Sequence, residues 1–195
     1  MRAKDAGVPI PAFSSLFHDE DINRFADTVS PPWVLKPRSE ASASGIIKIH
    51  SKDELWQKVH ELGPDRLRYL VEQFKPGAVY HCDGINWHGK VLYSLTSQYL
   101  ATPMEISQGG GIFRSANVPY NSADEKEISK VNAQVMKAFG MQHGATHTEF
   151  IKCNEDGKIY FLETASRVGG AHLAEMVEAA CGLNMWGEWA KIEDA

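Results

Sequence analysis

The chain has 195 residues, 43% of them hydrophobic and 23% charged, with 20 basic against 25 acidic side chains and a formal net charge of −5. That balance argues against a partner held through nucleic-acid phosphates, and no run of about eighteen uncharged apolar residues offers a membrane span. The 3 cysteines, Cys82, Cys153 and Cys181, are odd in number and too widely spaced for a disulfide framework or a metal knuckle, and suit a reducing, cytoplasmic setting.

In chain order, Ala6-Gly7-Val8-Pro9-Ile10-Pro11-Ala12-Phe13 predicts an extended segment within residues 1–17, because each proline biases its predecessor towards β or polyproline geometry. A short amphipathic helix follows, with Ile22, Phe25 and Ala26 on one side. Trp33-Val34-Leu35-Lys36 reads as a buried strand closed by Pro37, and Gly45-Ile46-Ile47-Lys48-Ile49 as a second strand. Ser51 and Glu54 form a capping box that opens a helix with Leu55, Val59 and Leu62 on one stripe, ended by Gly63. Arg68 to Phe74 is a third strand, and Lys75-Pro76-Gly77 breaks the pattern as a hinge. Ala78–Cys82 and Lys90–Gln98 read as antiparallel strands joined at 86–89, and Gly109-Gly110-Gly111 lies in a loop. Ser122 and Glu125 cap another helix, with Ile128, Val131, Val135 and Phe139 inward and Gly140 behind it. A hairpin spans about 146–164 and a helix runs from about His172 to Cys181; the apolar stretch 183–195 carries no terminator. The expected architecture is α+β in two lobes: a connecting segment over 1–31, a small subdomain over 32–74 and a large one over 75–195.

The hairpin carries the strongest chemical signal. Glu155-Asp156-Gly157 fits a three-residue loop with Gly157 left-handed, which pairs Asn154 with Lys158, Ile151 with Phe161, Phe150 with Leu162 and Glu149 with Glu163. Directly opposite carboxylates repel, and here their expected neighbours are Ile151, Phe161 and Ile159. Such a pair calls for a shared proton or a cation, and a hard divalent ion such as Mg2+ is the natural partner. A wet sheet rim, or a register slip, is the alternative.

Three further stretches are weaker. Lys36-Pro37-Arg38-Ser39-Glu40-Ala41-Ser42-Ala43-Ser44-Gly45 is a strand-loop-strand of small residues with a lysine at its entrance, able to bring N–H groups and hydroxyls to phosphate. It lacks the order of a P-loop and by itself reads more readily as a flexible hairpin loop. The period of two puts Glu72 on the apolar face of Leu70 and Phe74, where a carboxylate needs a donor unless it sits at an edge. Arg167 follows Glu163 by four, and Gly169-Gly170 permits close backbone approach before a helix.

Taken together, the AGVPIP entry, the WVLKP strand with its Ser/Gly-rich loop, the LVEQFKPG hinge and the THTEFI…YFLETASRVGG strand pair resemble the ATP-grasp superfamily of carboxylate–amine/thiol ligases. YHCDG and LETASRVGG are most similar to its branch of biotin-carboxylase-like proteins and L-amino-acid ligases. The resemblance implies an ATP-grasp fold, two lobes with mostly antiparallel sheets gripping the nucleotide, and an ATP-dependent ligase acting through an acyl phosphate. Lys36 would hold ATP phosphates, with Ser42, Ser44 and Gly45 in the loop covering them. Glu72 would face the adenine amino group, with the backbone of Gln73 and Phe74 on the base edge. Glu149 and Glu163 would bind Mg2+ or Mn2+, and Arg167 would steady the acyl phosphate.

The implied partners are ATP and small carboxylate and amine or amino-acid substrates, with no nucleic acid and no membrane; an oligomer is open. Two positions depart from the family pattern. Ala165 stands where an asparagine usually follows the second metal glutamate by two, and Val79 stands where a ribose-binding glutamate is expected, which shifts that contact to Asp83. His81, His147 and His172 read as exposed or satisfied in the core. The family also carries an N-terminal domain, missing here, so a chain truncated at its N-terminus, and at its C-terminus, is expected, inactive alone. A catalytically silent nucleotide-binding or regulatory module is the alternative.

Overall fold

The computed structural model describes residues 2–39 and 45–195. In chain order these form α1 (Arg2–Asp5), β1 (Phe13–Ser15), α2 (Asp19–Thr28), β2 (Trp33–Pro37), β3 (Ile47–Ile49) and α3 (Lys52–Leu62). A 3-10 turn (Gly63–Arg68) leads into β4 (Tyr69–Gln73), β5 (Gly77–Trp87), β6 (Lys90–Tyr99), α4 (Pro103–Gly109) and β7 (Ser115–Asn117). The rest is α5 (Ala123–Phe139), β8 (Gly144–Cys153), β9 (Ile159–Ala165), α6 (Leu173–Cys181) and α7 (Met185–Glu193). The fold is α+β with antiparallel sheets, as expected. Contacts divide the chain into one unit of residues 1–10, 76–102 and 112–195 and another of residues 11–75 and 103–111.

The second unit is built on a four-stranded antiparallel sheet in the order β1-β4-β2-β3. Trp33, Leu35, Ile49 and Val71 share its core face and pack on Ile22 and Phe25 of α2 and Leu55 and Val59 of α3. The capping box holds: Ser51 Oγ accepts from the Glu54 N–H at 3.1 Å, and Glu54 Oε2 accepts from the His50 N–H at 2.7 Å. The odd–even alternation then sends Val34, Lys36, Lys48, Leu70 and Glu72 to the opposite face.

The first unit is a five-stranded antiparallel sheet, β7-β6-β5-β8-β9. One face carries Tyr80, Cys82, Phe150, Ile159 and Phe161 and is covered by Ile128, Val131, Val135 and Met136 of α5. On the other face Ile85 and Ala145 pack against Val168, Ala174, Val177 and Met185. Helix α7 was unforeseen: the apolar tail becomes a helix because Asn184 caps it, its Oδ1 accepting from the Gly187 N–H at 2.7 Å. Helix α1 precedes the predicted extended segment Ala6–Phe13, and β5 runs on to Trp87 rather than ending at Cys82.

The β8–β9 register corrects the sequence reading in one respect. The turn closes at Cys153 and Lys158, not Asn154 and Lys158, with the Cys153 N–H donating to the Lys158 carbonyl at 2.9 Å. Phe150 therefore pairs with Phe161, and Ile151 with Tyr160. A β-bulge then leaves Leu162 unpaired and shifts the ladder by one, so that Glu149 does stand opposite Glu163. Because of the bulge, Phe161 and Ile159 face α5, and the glutamates have different neighbours from those expected.

Candidate functional site

Strand period and register together gather one polar set on the α6–α7 face of the five-stranded sheet. His81 lies opposite Glu149, Asp83 opposite His147, Tyr99 opposite Ser115, and His147 opposite Ala165. Asp83 is 2% exposed, and each of its carboxylate oxygens accepts from an imidazole: His81 Nδ1 at 2.6 Å and His147 Nδ1 at 2.9 Å. His81 Nε2 meets the Ser115 hydroxyl at 2.6 Å, and that hydroxyl reaches the Gln98 carbonyl at 3.0 Å. His147 Nε2 lies 3.6 Å from Glu149 Oε1, to which the Tyr99 hydroxyl donates at 2.9 Å.

The charges follow from these contacts. Burial pushes the Asp83 carboxyl up, but the two imidazole N–H groups outweigh it and hold the acid well below its ordinary range. Burial works against the His147 cation as well, yet Asp83 and Glu149 raise its pKa to about 9. Glu149 is also lowered overall, burial being overcome by His147 and Tyr99, while burial and Glu149 push the Tyr99 phenol far up. Glu149 is thus an ionised carboxylate held by a phenol on one of its oxygens, and Glu163 is an exposed partner across the ladder. Two carboxylates in that arrangement suit an oxygen-loving divalent cation.

His81, Asp83 and His147 themselves bring one potential ligand atom each within 4.8 Å of one another. Both ring nitrogens of His81 and Nδ1 of His147 are engaged by Asp83 and Ser115, while His147 Nε2 faces Glu149 Oε1 at 3.6 Å. A Cβ on Gly169 would lie 2.6 Å from Asp83 Oδ1 and 3.2 Å from His147 Nδ1, so backbone closes over the pair. This trio is a hydrogen-bonded chain rather than an open coordination site.

In the other unit, Lys36 and Glu72 meet on the sheet face away from α2 and α3. Lys36 Nζ lies 3.1 Å from Glu72 Oε1 and 3.0 Å from Oε2, with both side chains largely buried (14% and 13% exposed). The donor that the sequence demanded for Glu72 is therefore Lys36. Burial pushes the Glu72 acid up, opposed by the lysine charge. On the same sheet, Lys48 Nζ sits 3.9 Å from the centre of the Phe74 ring.

The remaining predicted residues fall as follows. The N–H groups of Gln73 and Phe74 already donate to the Ala12 and Pro32 carbonyls, at 2.7 and 3.2 Å. Gly45 has φ +72°, and a Cβ there would meet Pro37 at 3.2 Å; Ser42 and Ser44 lie outside the described residues. Arg167 is exposed in the turn after β9, its Nη1 donating to the Val168 carbonyl at 2.9 Å. Val79 is buried, and Asp83 is committed to two histidines, so the suggested ribose contact at Asp83 does not fit. His172 is exposed. The His81–Asp83–His147–Tyr99 chain went unrecognised in the sequence. Its signal was the parity: His81 and Asp83 two apart on one strand, His147 and Glu149 two apart on the next.

The family described as the ATP-grasp domain matches residues 29–175. The chain belongs to the ATP-grasp family. Among curated ATP-grasp relatives, D-alanine–D-alanine ligase of Neisseria gonorrhoeae (strain NCCP11945) is 26% identical over 161 residues, covering 80% of this chain and 52% of that protein. The chain thus spans about half the length of the curated relatives it matches. Among solved structures, carboxyaminoimidazole ribonucleotide synthase of Aspergillus clavatus complexed with ATP superposes with a TM-score of 0.77 at 16% identity, over 98% of this chain and 48% of that one. L-amino acid ligase of Bacillus licheniformis gives 0.69 at 23% identity, over 94% and 43%. At these identities the structural likeness establishes the ATP-grasp fold.

Proposed function

We propose that this chain binds ATP with Mg2+, Mn2+ being a substitute, and is the nucleotide-handling part of a carboxylate–amine (or thiol) ligase. The observation that carries the reading is the pairing of Glu149 with Glu163 across β8 and β9. When bound, the divalent ion offsets the triphosphate charge that otherwise repels an incoming carboxylate.

The chain's own residues take the remaining tasks. Glu72 accepts from the adenine amino group, and its contact with Lys36 confines the ammonium to the nucleoside end of the ligand. Lys36 therefore serves the base edge and the phosphate nearest the ribose, not the terminal phosphate. Gln73 and Phe74 can contribute carbonyl oxygens, since their N–H groups are already used. Ser42, Ser44 and Gly45 would lie in the loop that covers the phosphates. Arg167 offers its guanidinium to the acyl phosphate formed when a carboxylate takes the terminal phosphoryl group. Attack by the amine on the acyl carbon then expels phosphate and forms the amide.

The substrates would be a small carboxylate and an amine or amino acid, by analogy with D-alanine–D-alanine ligase and L-amino acid ligase. A cytoplasmic setting accords with the free cysteines Cys82, Cys153 and Cys181; no helix among the described residues is long and apolar enough to cross a membrane. The second reading, a silent nucleotide-binding module, draws on Ala165, which offers no ligand atom where the family pattern has asparagine, and on buried Val79.

Isothermal titration with ATP, with and without Mg2+, tests the binding; no heat in either condition would overturn both readings. ADP release on adding paired amino acids would favour the ligase over the silent module.

A further inference from the structure

The buried chain of hydrogen bonds beneath the glutamate pair does something the two glutamates alone do not require. A glutamate side chain has three rotatable bonds, and a carboxylate opposite another is pushed away from it. Glu149 is instead held on Oε1, by the Tyr99 hydroxyl at 2.9 Å and with His147 Nε2 at 3.6 Å.

His147 faces Glu149 through Nε2 only because its Nδ1 is taken by Asp83 at 2.9 Å; the imidazole turned over would lose that bond. Asp83 is in turn fixed by His81, and His81 by Ser115. Ala165, opposite His147, leaves the ring room. The turn that carries Arg167 packs its Gly169 backbone directly on Asp83 and His147.

We propose that Asp83 is a positioning residue, which through His147 sets the Glu149 carboxylate for the divalent cation of the bound nucleotide. The same contact under Gly169 ties that carboxylate to the turn bearing Arg167. This rests on the nucleotide and metal reading above. The partner of a metal-bound carboxylate acts one step back from the ion, and removing such partners commonly costs about 10–100-fold in metal affinity.

The test is the affinity of the full chain for Mn2+·ATP, read by water-proton relaxation enhancement, which separates the protein-bound complex from the free one. Wild type, Asp83→Asn, Glu149→Gln and the double variant form a cycle, with ATP affinity in the absence of metal measured alongside. Asp83→Asn should weaken Mn2+·ATP by about 10-fold and leave metal-free ATP affinity unchanged. In the Glu149→Gln background it should add nothing, because its effect passes through that carboxylate.

A loss of the same size on top of Glu149→Gln would mark a merely structural role and overturn the proposal. So would wild-type affinity in Asp83→Asn. Should Asp83→Asn fail to fold, His147→Asn and His147→Gln break the chain at its two joints, and both should weaken Mn2+·ATP; wild-type affinity in both overturns the proposal. A bound transition metal in the nucleotide-free protein, lost in Asp83→Asn, would also overturn it, by making the trio a ligand set. No protein-bound Mn2+·ATP in the wild type would overturn the underlying nucleotide reading. Binding lost in Glu163→Gln but intact in Asp83→Asn overturns the positioning role alone.

Discussion

Glu149 and Glu163 are cross-strand partners because Leu162 is bulged out of β9 between two registers that differ by one residue. Deleting Leu162 should iron out the bulge and keep Glu163 opposite Glu149, so Mg2+-dependent ATP affinity should survive. Inserting an alanine between Leu162 and Glu163 turns Glu163 to the α5 face, since a one-residue shift reverses every side chain beyond it. That variant should lose the Mg2+-dependent gain in affinity by isothermal titration while remaining folded by circular dichroism.

Lys36 and Glu72 are buried together, and breaking such a pair leaves an uncompensated charge. Lys36→Met should cost about 3 kcal/mol in urea unfolding at neutral pH. The Glu72 acid is already raised by burial, and losing the lysine raises it further. A raised folded-state pKa stabilises below the unfolded value and loses that contribution as pH rises through the folded one. The Lys36→Met defect should therefore be milder in acid and grow as the pH rises. Lys36→Met/Glu72→Leu should recover most of the stability and none of the ATP affinity.

Gly169 and Gly170 are adjacent but differ in what surrounds them. A Cβ on Gly169 would lie 2.6 Å from Asp83 Oδ1, whereas one on Gly170 meets nothing within 4 Å. Gly169→Ala should destabilise by about 1–3 kcal/mol through overpacking, and Gly170→Ala should be close to neutral in the same urea titration. Equal effects would contradict the close packing of that turn on the Asp83–His147 pair.

Asp124, in the first turn of α5, accepts from Lys152 at 2.6 Å and from the Tyr80 hydroxyl at 3.0 Å, fastening the helix to the sheet. The hydrogen bond from Lys152 leads in lowering its acid below the ordinary 3.8. A lowered carboxyl stabilises above its unfolded pKa, and that contribution fades as pH falls through the folded one. Asp124→Asn should cost about 1 kcal/mol at pH 7, given partial solvent screening. By chemical unfolding, the cost should shrink as the pH falls below the ordinary carboxylate range.

Local signals made much of this fold legible. Ser51 and Ser122 announced their helices because an N-cap hydroxyl takes up the N–H three residues on, that of Glu54 and of Glu125. Glu72 announced its need for a donor because strand parity put it on an apolar face. Leu162 was not legible: a bulge is a compromise between the turn at one end of a hairpin and the register at the other, and neither is written in one residue. The pairing of Glu149 with Glu163 was expected through a turn register that is off by one, and the bulge restores it. The chain behind Glu149 was missed because Tyr99, His81 and Asp83 come from strands whose order in the sheet follows from tertiary packing. Helix α7 was missed because Asn184 acts as a cap only once the chain has turned at Gly182.

The central claim is that the Glu149–Glu163 pair receives the divalent cation of bound ATP. Isothermal titration of ATP into wild type and Glu163→Gln, each with and without Mg2+, tests it most directly. The account predicts that Mg2+ tightens ATP binding by the wild type and that Glu163→Gln loses most of that gain while keeping the metal-free affinity. An unchanged Mg2+-dependent gain in Glu163→Gln would contradict it.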